Sequence, residues 1–129
     1  ILSTIETIFR AGWHLVKLYF MIGLPTEQVE DVEGIVALAT KAWKTARAIS
    51  RKNEVTISVS SFIPKPHTPF QWCAMLSEEE ILGRQEMLKR RLNRRGMRVK
   101  WHDARVSYWE GVISRGGRPV GAFLERLSK

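Results

Sequence analysis

Cysteine is nearly absent from this chain, histidine is scarce, and no apolar stretch is long. One cysteine, Cys73, among 129 residues excludes an internal disulfide. The three histidines, His14, His67 and His102, are scattered and with Cys73 cannot compose a cysteine-rich cluster or zinc site. The longest apolar runs, such as Leu18–Leu24, fall far short of a membrane span, so no membrane partner is expected. Residues Ile1–Gly12 lack the basic start and small-residue cleavage site of a secretory leader, and a reduced, cytoplasmic setting is the expectation. There is no initiator Met and no evident repeat, and Ile1 reads as mid-helix. The chain is therefore expected to be part of something longer.

What remains is a globular composition, 44% hydrophobic and 26% charged with five Trp, sized for one domain. The net charge of +8 is uneven. Residues 27–33 are acidic, whereas 84–105 carry nine Lys or Arg against Glu86 and Asp103. Such asymmetry suits either a solvated helix face or an anionic partner.

Hydrophobic spacing predicts a helix over Ile1–Ala11 stopped by Gly12, then a strand over Leu15–Ile22. Gly23-Leu24-Pro25 is a sharp turn, and Thr26 is a candidate N-cap for a helix reaching Ser50. Val55–Ile63 reads as a second strand, closed by Pro64-Lys65-Pro66. Ser77 and Glu80 form a capping box for a helix running to Arg95, with Gly96 as its left-handed cap. Met97–Trp101 has the alternation of a short third strand. Asp103 caps a helix ending at Gly116-Gly117, and Pro119 opens the last one.

Strands alternating with long helices predict a parallel sheet, because parallel neighbours need a crossover. Each strand has one oily and one polar parity: Leu18, Phe20 and Ile22 against Lys17, Tyr19 and Met21, and Val55, Ile57 and Val59 against Thr56, Ser58 and Ser60. A doubly wound sheet buries both faces and would read as a continuous apolar run. A polar face points either to the lumen of an open or wide barrel or to a sheet edge facing water. The expected fold is α/β: a partial, half TIM-type barrel or horseshoe of two to three parallel strands with outer helices and a helical C-terminal extension. Residues 1–76 would form the barrel part and 77–129 the extension packed on it, as one structural unit.

Two passages leaving the strands are the candidates for chemistry. Tyr19–Glu27 runs from strand to helix through Gly23, whose missing side chain lets a ligand approach the backbone. Taken bare, it is also an ordinary structural turn. Ser60–Trp72 leaves the next strand at the same end, stiffened by three prolines. Phe70 and Trp72 suit either a planar ligand or loop anchoring. His102, beside Asp103, is a weaker candidate for an oriented base.

Val16–Glu27, Ser58–Trp72 and Val99-Lys100-Trp101-His102-Asp103 with Val106-Ser107 together resemble the radical S-adenosylmethionine (SAM) superfamily. The closer resemblance is to its B12-binding-domain-containing members related to methylthiotransferases. The resemblance implies an iron–sulfur enzyme whose 4Fe-4S cluster, held by three cysteines after the first strand, reduces SAM to a 5′-deoxyadenosyl radical, with cobalamin as a further cofactor. That cysteine motif is missing from this chain, so the resemblance implies ligands in an N-terminal half lying outside it and no activity for this part by itself. Gly23, Leu24, Pro25 and Glu27 would lie at the adenine-side turn, and Phe62, Ile63 and Pro64 would flank the nucleoside. The rival expectation is a basic RNA-binding module on the helix 77–95 and strand 97–101. Either way, the open edge of a half-barrel invites pairing with a second chain.

Overall fold

The structure, a computed structural model, describes residues 1–128. Five helices and three strands alternate: α1 Leu2–Arg10, β1 Leu15–Ile22, α2 Val29–Ile49, β2 Glu54–Ser61, α3 Glu78–Leu92, β3 Met97–Trp101, α4 Ala104–Arg115 and α5 Arg118–Leu127. The strands form one open parallel sheet in the order β1-β2-β3. The protein is thus α/β, with sheet order following chain order.

Register decides which side chains share a face. Lys17 stands opposite Thr56 and Thr56 opposite Arg98; the next like-facing row is Tyr19, Ser58 and Lys100. The alternate rows hold Leu18, Ile57 and Val99, then Phe20, Val59 and Trp101. Helices α1, α2 and α3 cover this second, apolar face. Ile5 and Phe9 of α1, Val32, Val36 and Ala39 of α2, and Leu88 and Leu92 of α3 share one core with Val55, Ile57 and Val59. A doubly wound sheet would carry helices on both faces. Here those helices leave the polar rows to the opposite side, where Tyr19 is 72% exposed at the edge and Thr56, on the central strand, is 6% exposed.

The sheet and core continue past residue 76 through α3 and β3, so only α4 and α5 are purely helical additions. Small residues of α4, Ala104, Ser107 and Gly111, face the body, with Met75 and Ile63 close over Gly111. No residue of α5 is buried. No helix among the described residues is long and apolar enough to cross a membrane.

Three local expectations need correction. The long helix starts at Val29 with Gln28 as N-cap, not at Thr26, and Asp31 accepts the Gln28 N–H at 2.8 Å. Thr26 has φ of 69°, outside the extended region an N-cap occupies, because Glu27 folds back on Leu24 and Gly23 before the helix begins. The helix after Ser77 ends at Leu92, where its buried stripe runs out, rather than at Arg95. Gly96 does adopt the left-handed conformation, but in the turn closed by Met97 N–H on the Arg94 carbonyl. The second strand ends at Ser61, opposite Ile22, where its partner β1 also ends.

The capping box at Ser77 is present. Ser77 Oγ accepts from Glu80 N–H at 3.2 Å, and Glu80 Oε2 accepts from Ser77 N–H at 2.8 Å. The Ser77 backbone bond, then its hydroxyl, holds the Glu80 carboxyl below the ordinary glutamate range. A depressed carboxyl stabilises the fold above its unfolded pKa and loses that contribution as pH falls through the folded value. Ser77→Ala is expected to cost about 1 kcal/mol. Glu80→Gln should flatten the fall in urea midpoint between about pH 6 and pH 3, and an unaltered acid limb would show that this box contributes nothing.

Candidate functional site

The carboxyl ends of β1 and β2 meet at one end of the sheet, where parallel α/β folds place their ligands. At the β1 end Gly23 has φ of +82° and is buried beneath Leu76. Its N–H donates to Glu27 Oε2 at 2.8 Å. The Glu27 side chain is only 6% exposed, and Arg84 of α3 brings its Nε to 2.9 Å from Oε1. The approach makes an ion pair rather than an aligned hydrogen bond, leaving Oε1 buried without a directed donor. One carboxylate therefore ties the turn to its own backbone and to a helix more than fifty residues further along the chain. Leu24, 42% exposed, and Met21 line a depression of about 370 Å³ with Pro25, Thr26 and Glu27.

At the β2 end Phe62 and Pro64 are buried, whereas Ile63 is half-buried. Phe62 meets Phe70 edge-on at 6.0 Å between ring centroids, so Phe70 anchors the loop. Of the seven residues expected around a nucleoside, Leu24, Pro25 and Ile63 retain exposed surface at this mouth. Gly23, Glu27, Phe62 and Pro64 shape it from beneath. The oriented-base idea at His102 finds no support in the bonds of Asp103, whose carboxylate caps α4 through Arg105 and Val106 N–H at 2.9 and 3.1 Å.

The face opposite those helices, adjoining this mouth, is polar and cationic. Lys17, Arg98 and Lys100 project from it around Thr56 and Ser58, with Glu54 paired to Arg98 at 3.0 Å and Lys17 lying over the Tyr19 ring. The remaining basic residues of the tail lie on α3 and α4, except Arg94 and Arg95, which stand in the turn between α3 and β3. Arg91 pairs with Glu33 at 3.5 Å, Arg105 with Glu78 at 3.3 Å, and Lys89 and Arg90 with Glu86. Arg94 lies over the Trp43 ring. The cations that form one run in sequence are thus divided between the sheet face and the outer helical surface, and most face a carboxylate. Among the described residues no three His, Cys, Asp or Glu side chains gather as a metal site.

Neither Leu76 nor Arg84 stood out in the sequence as part of the mouth. Both reach it from the far side of a long loop, and no local spacing signals such contacts.

No family model matches the chain, and no solved structure matches it. It is similar to the uncharacterized protein MJ0966 of Methanocaldococcus jannaschii, 31% identical over 127 residues that make up 97% of this chain. The same match covers 26% of that protein, so the chain spans about a quarter of the relative's length.

Proposed function

We propose that this chain is the later part of a radical-SAM-type barrel, contributing the strands and mouth loops that line a SAM and substrate lumen in a longer polypeptide. The observation that carries the reading is the register. Polar rows Lys17–Thr56–Arg98 and Tyr19–Ser58–Lys100 share one face, while α1, α2 and α3 pack on the other. Sequential parallel strands with one-sided helices are what a segment of a closed barrel looks like when isolated. The open edges of β1 and β3 then have an obvious use, because further parallel strands would pair with them. The resemblance of Tyr19–Glu27 and Ser60–Trp72 to that superfamily supports the same assignment.

In this reading Leu24, Pro25 and Ile63 would present apolar surface to the nucleoside. Glu27 and Arg84 would hold the turn still, and the hydroxyls of Thr56 and Ser58 would face the lumen. SAM, when bound beside a reduced cluster, supplies radical chemistry that no side chain here can start. The cluster ligands, and any cobalamin, belong to the rest of the polypeptide, which makes this part inactive alone.

The test compares two proteins under anaerobic reconstitution with iron and sulfide. The longer polypeptide is expected to bind a four-iron cluster and, with a strong reductant, to release 5′-deoxyadenosine and methionine from SAM. The 129-residue chain alone is expected to retain no stoichiometric iron. Stoichiometric iron on this chain, or a longer polypeptide without a Cys-x3-Cys-x2-Cys run ahead of Ile1, would sink the proposal.

A further inference from the structure

We infer that the hollow between the loop 62–77 and the end of α4 is a nucleotide site, with Trp72 as the stacking surface for a planar base and Arg115 as the phosphate contact. The hollow holds about 550 Å³, within the usual range for small-ligand sites. It is lined by His67, Gln71 and Trp72 from the loop and by Ser114 and Arg115 from the helix. It shares no lining residue with the depression at Gly23, and all of its lining comes from this chain. The inference therefore does not rest on the barrel reading.

Loops of this length without regular structure are uncommon in small domains and are usually functional. This one is braced rather than slack. Thr68 Oγ1 donates to the Lys65 carbonyl at 2.8 Å, Gln71 N–H to the Thr68 carbonyl at 3.1 Å, and Cys73 N–H to the Phe70 carbonyl at 3.0 Å. His67 is held with φ of 63°, a costly conformation for a residue with a Cβ, and its N–H donates to Gln71 Oε1 at 3.1 Å. Phe70 accounts for the anchoring of the loop. Trp72, two residues on, is 89% exposed, so a rigid loop presents an indole that packs on nothing of its own.

Arg115 gives the hollow its second feature. Nη1 donates to the Cys73 carbonyl at 3.2 Å and Nε to the Gly111 carbonyl at 3.5 Å. Helix-end capping explains the bond to Gly111, and the bond to Cys73 ties the helix to the loop. They also hold the guanidinium in place, with Nη2 left for a ligand, and no carboxylate pairs with it among the described residues. A flat aromatic face, a fixed cation, the Ser114 hydroxyl and the Gln71 amide answer a base, a phosphate and polar edges respectively. The ligand is either a free nucleotide or one nucleotide of a single-stranded chain, since both offer the same base and phosphate.

The experiment titrates the full chain with adenosine monophosphate, with adenosine, and with a short single-stranded oligoadenylate, following the indole N–H signals by NMR. Saturable binding of the monophosphate is expected, with Trp72→Ala weakening it about tenfold or more. Arg115→Gln should weaken the monophosphate toward the affinity of adenosine and leave adenosine itself unchanged. Monophosphate binding at least as tight as the oligomer's, per site, assigns a free nucleotide; tighter oligomer binding that weakens with salt assigns a nucleic acid strand. If Arg115→Gln fails to fold, Trp72→Ala decides alone, because that side chain supports no packing. Absence of saturable binding by all three probes, or binding unchanged in Trp72→Ala, overturns the site and leaves the barrel proposal untouched.

Discussion

Ile57→Asp is expected to unfold the chain, and Ser58→Asp, one residue along, to leave it folded. Ile57 is 0% exposed on the central strand, with Leu18 and Val99 as its register neighbours and helices packed over it. A carboxylate there has no partner, and an uncompensated buried charge costs several kcal/mol, a large share of the 5–15 kcal/mol that holds a typical domain together. Ser58 belongs to the opposite face, half-buried between Tyr19 and Lys100. Aspartate there meets water and a cation across the strand, so stability should move by less than about 1 kcal/mol. Far-ultraviolet circular dichroism with urea unfolding reads both variants. Equal loss in the two would mean that the polar face is buried after all, and the one-sided architecture would fall. In the longer polypeptide Ser58→Asp has a separate consequence under the barrel proposal, because it puts a negative charge into the lumen of a folded protein.

This face assignment was legible in the sequence because a strand's side chains alternate strictly, and β2 separates its aliphatic and hydroxyl residues by parity without an exception between Val55 and Ser60. The Ser77/Glu80 box and the Asp103 cap were legible for a related reason: donor and acceptor lie within three residues of each other. The start of α2 was not. Thr26 has the right chemistry for a cap, but the chain first bends so that Glu27 can reach Gly23 N–H, and that bend consumes two residues. The end of α3 was set by burial rather than by the glycine that follows. Leu88 and Leu92 are its last docked residues, and Trp43 Nε1 donates to the Arg95 carbonyl at 3.1 Å, beyond the helix. The basic run could not be resolved into two surfaces from sequence alone, since that division depends on which strands pair. For the mouth, the two turns were legible as turns. Their lining was not, because Leu76 and Arg84 arrive from elements whose docking no local pattern encodes.

Gly23→Val should destabilise the fold by about 2–4 kcal/mol, from two separable causes. The backbone sits at φ of +82°, where a β-branched residue is strained whatever space surrounds it. A Cβ would also stand 2.7 Å from Leu76 Cδ1 and 3.0 Å from Cγ. The second contact involves a side chain that can be cut back, so a Gly23→Ala, Leu76→Ala double-mutant cycle separates the two. The steric part should appear as a favourable coupling between the substitutions, while a backbone penalty of about 1 kcal/mol or more persists in the pair. A Gly23→Val chain as stable as the original would show that the turn is not built this way. The same geometry determines how ligand binding at this mouth is to be read. Because Leu76 covers Gly23, a Gly23 variant that binds SAM poorly in the longer polypeptide reports a displaced turn as readily as a lost contact. Leu24 is exposed at the adjoining depression, and its truncation to alanine removes surface a ligand would touch without straining the backbone. Under the barrel proposal Leu24→Ala should weaken SAM binding with the urea midpoint unchanged, and Gly23→Val should lower both together. Normal SAM binding by a folded Leu24→Ala protein would remove this turn from the nucleoside's surroundings.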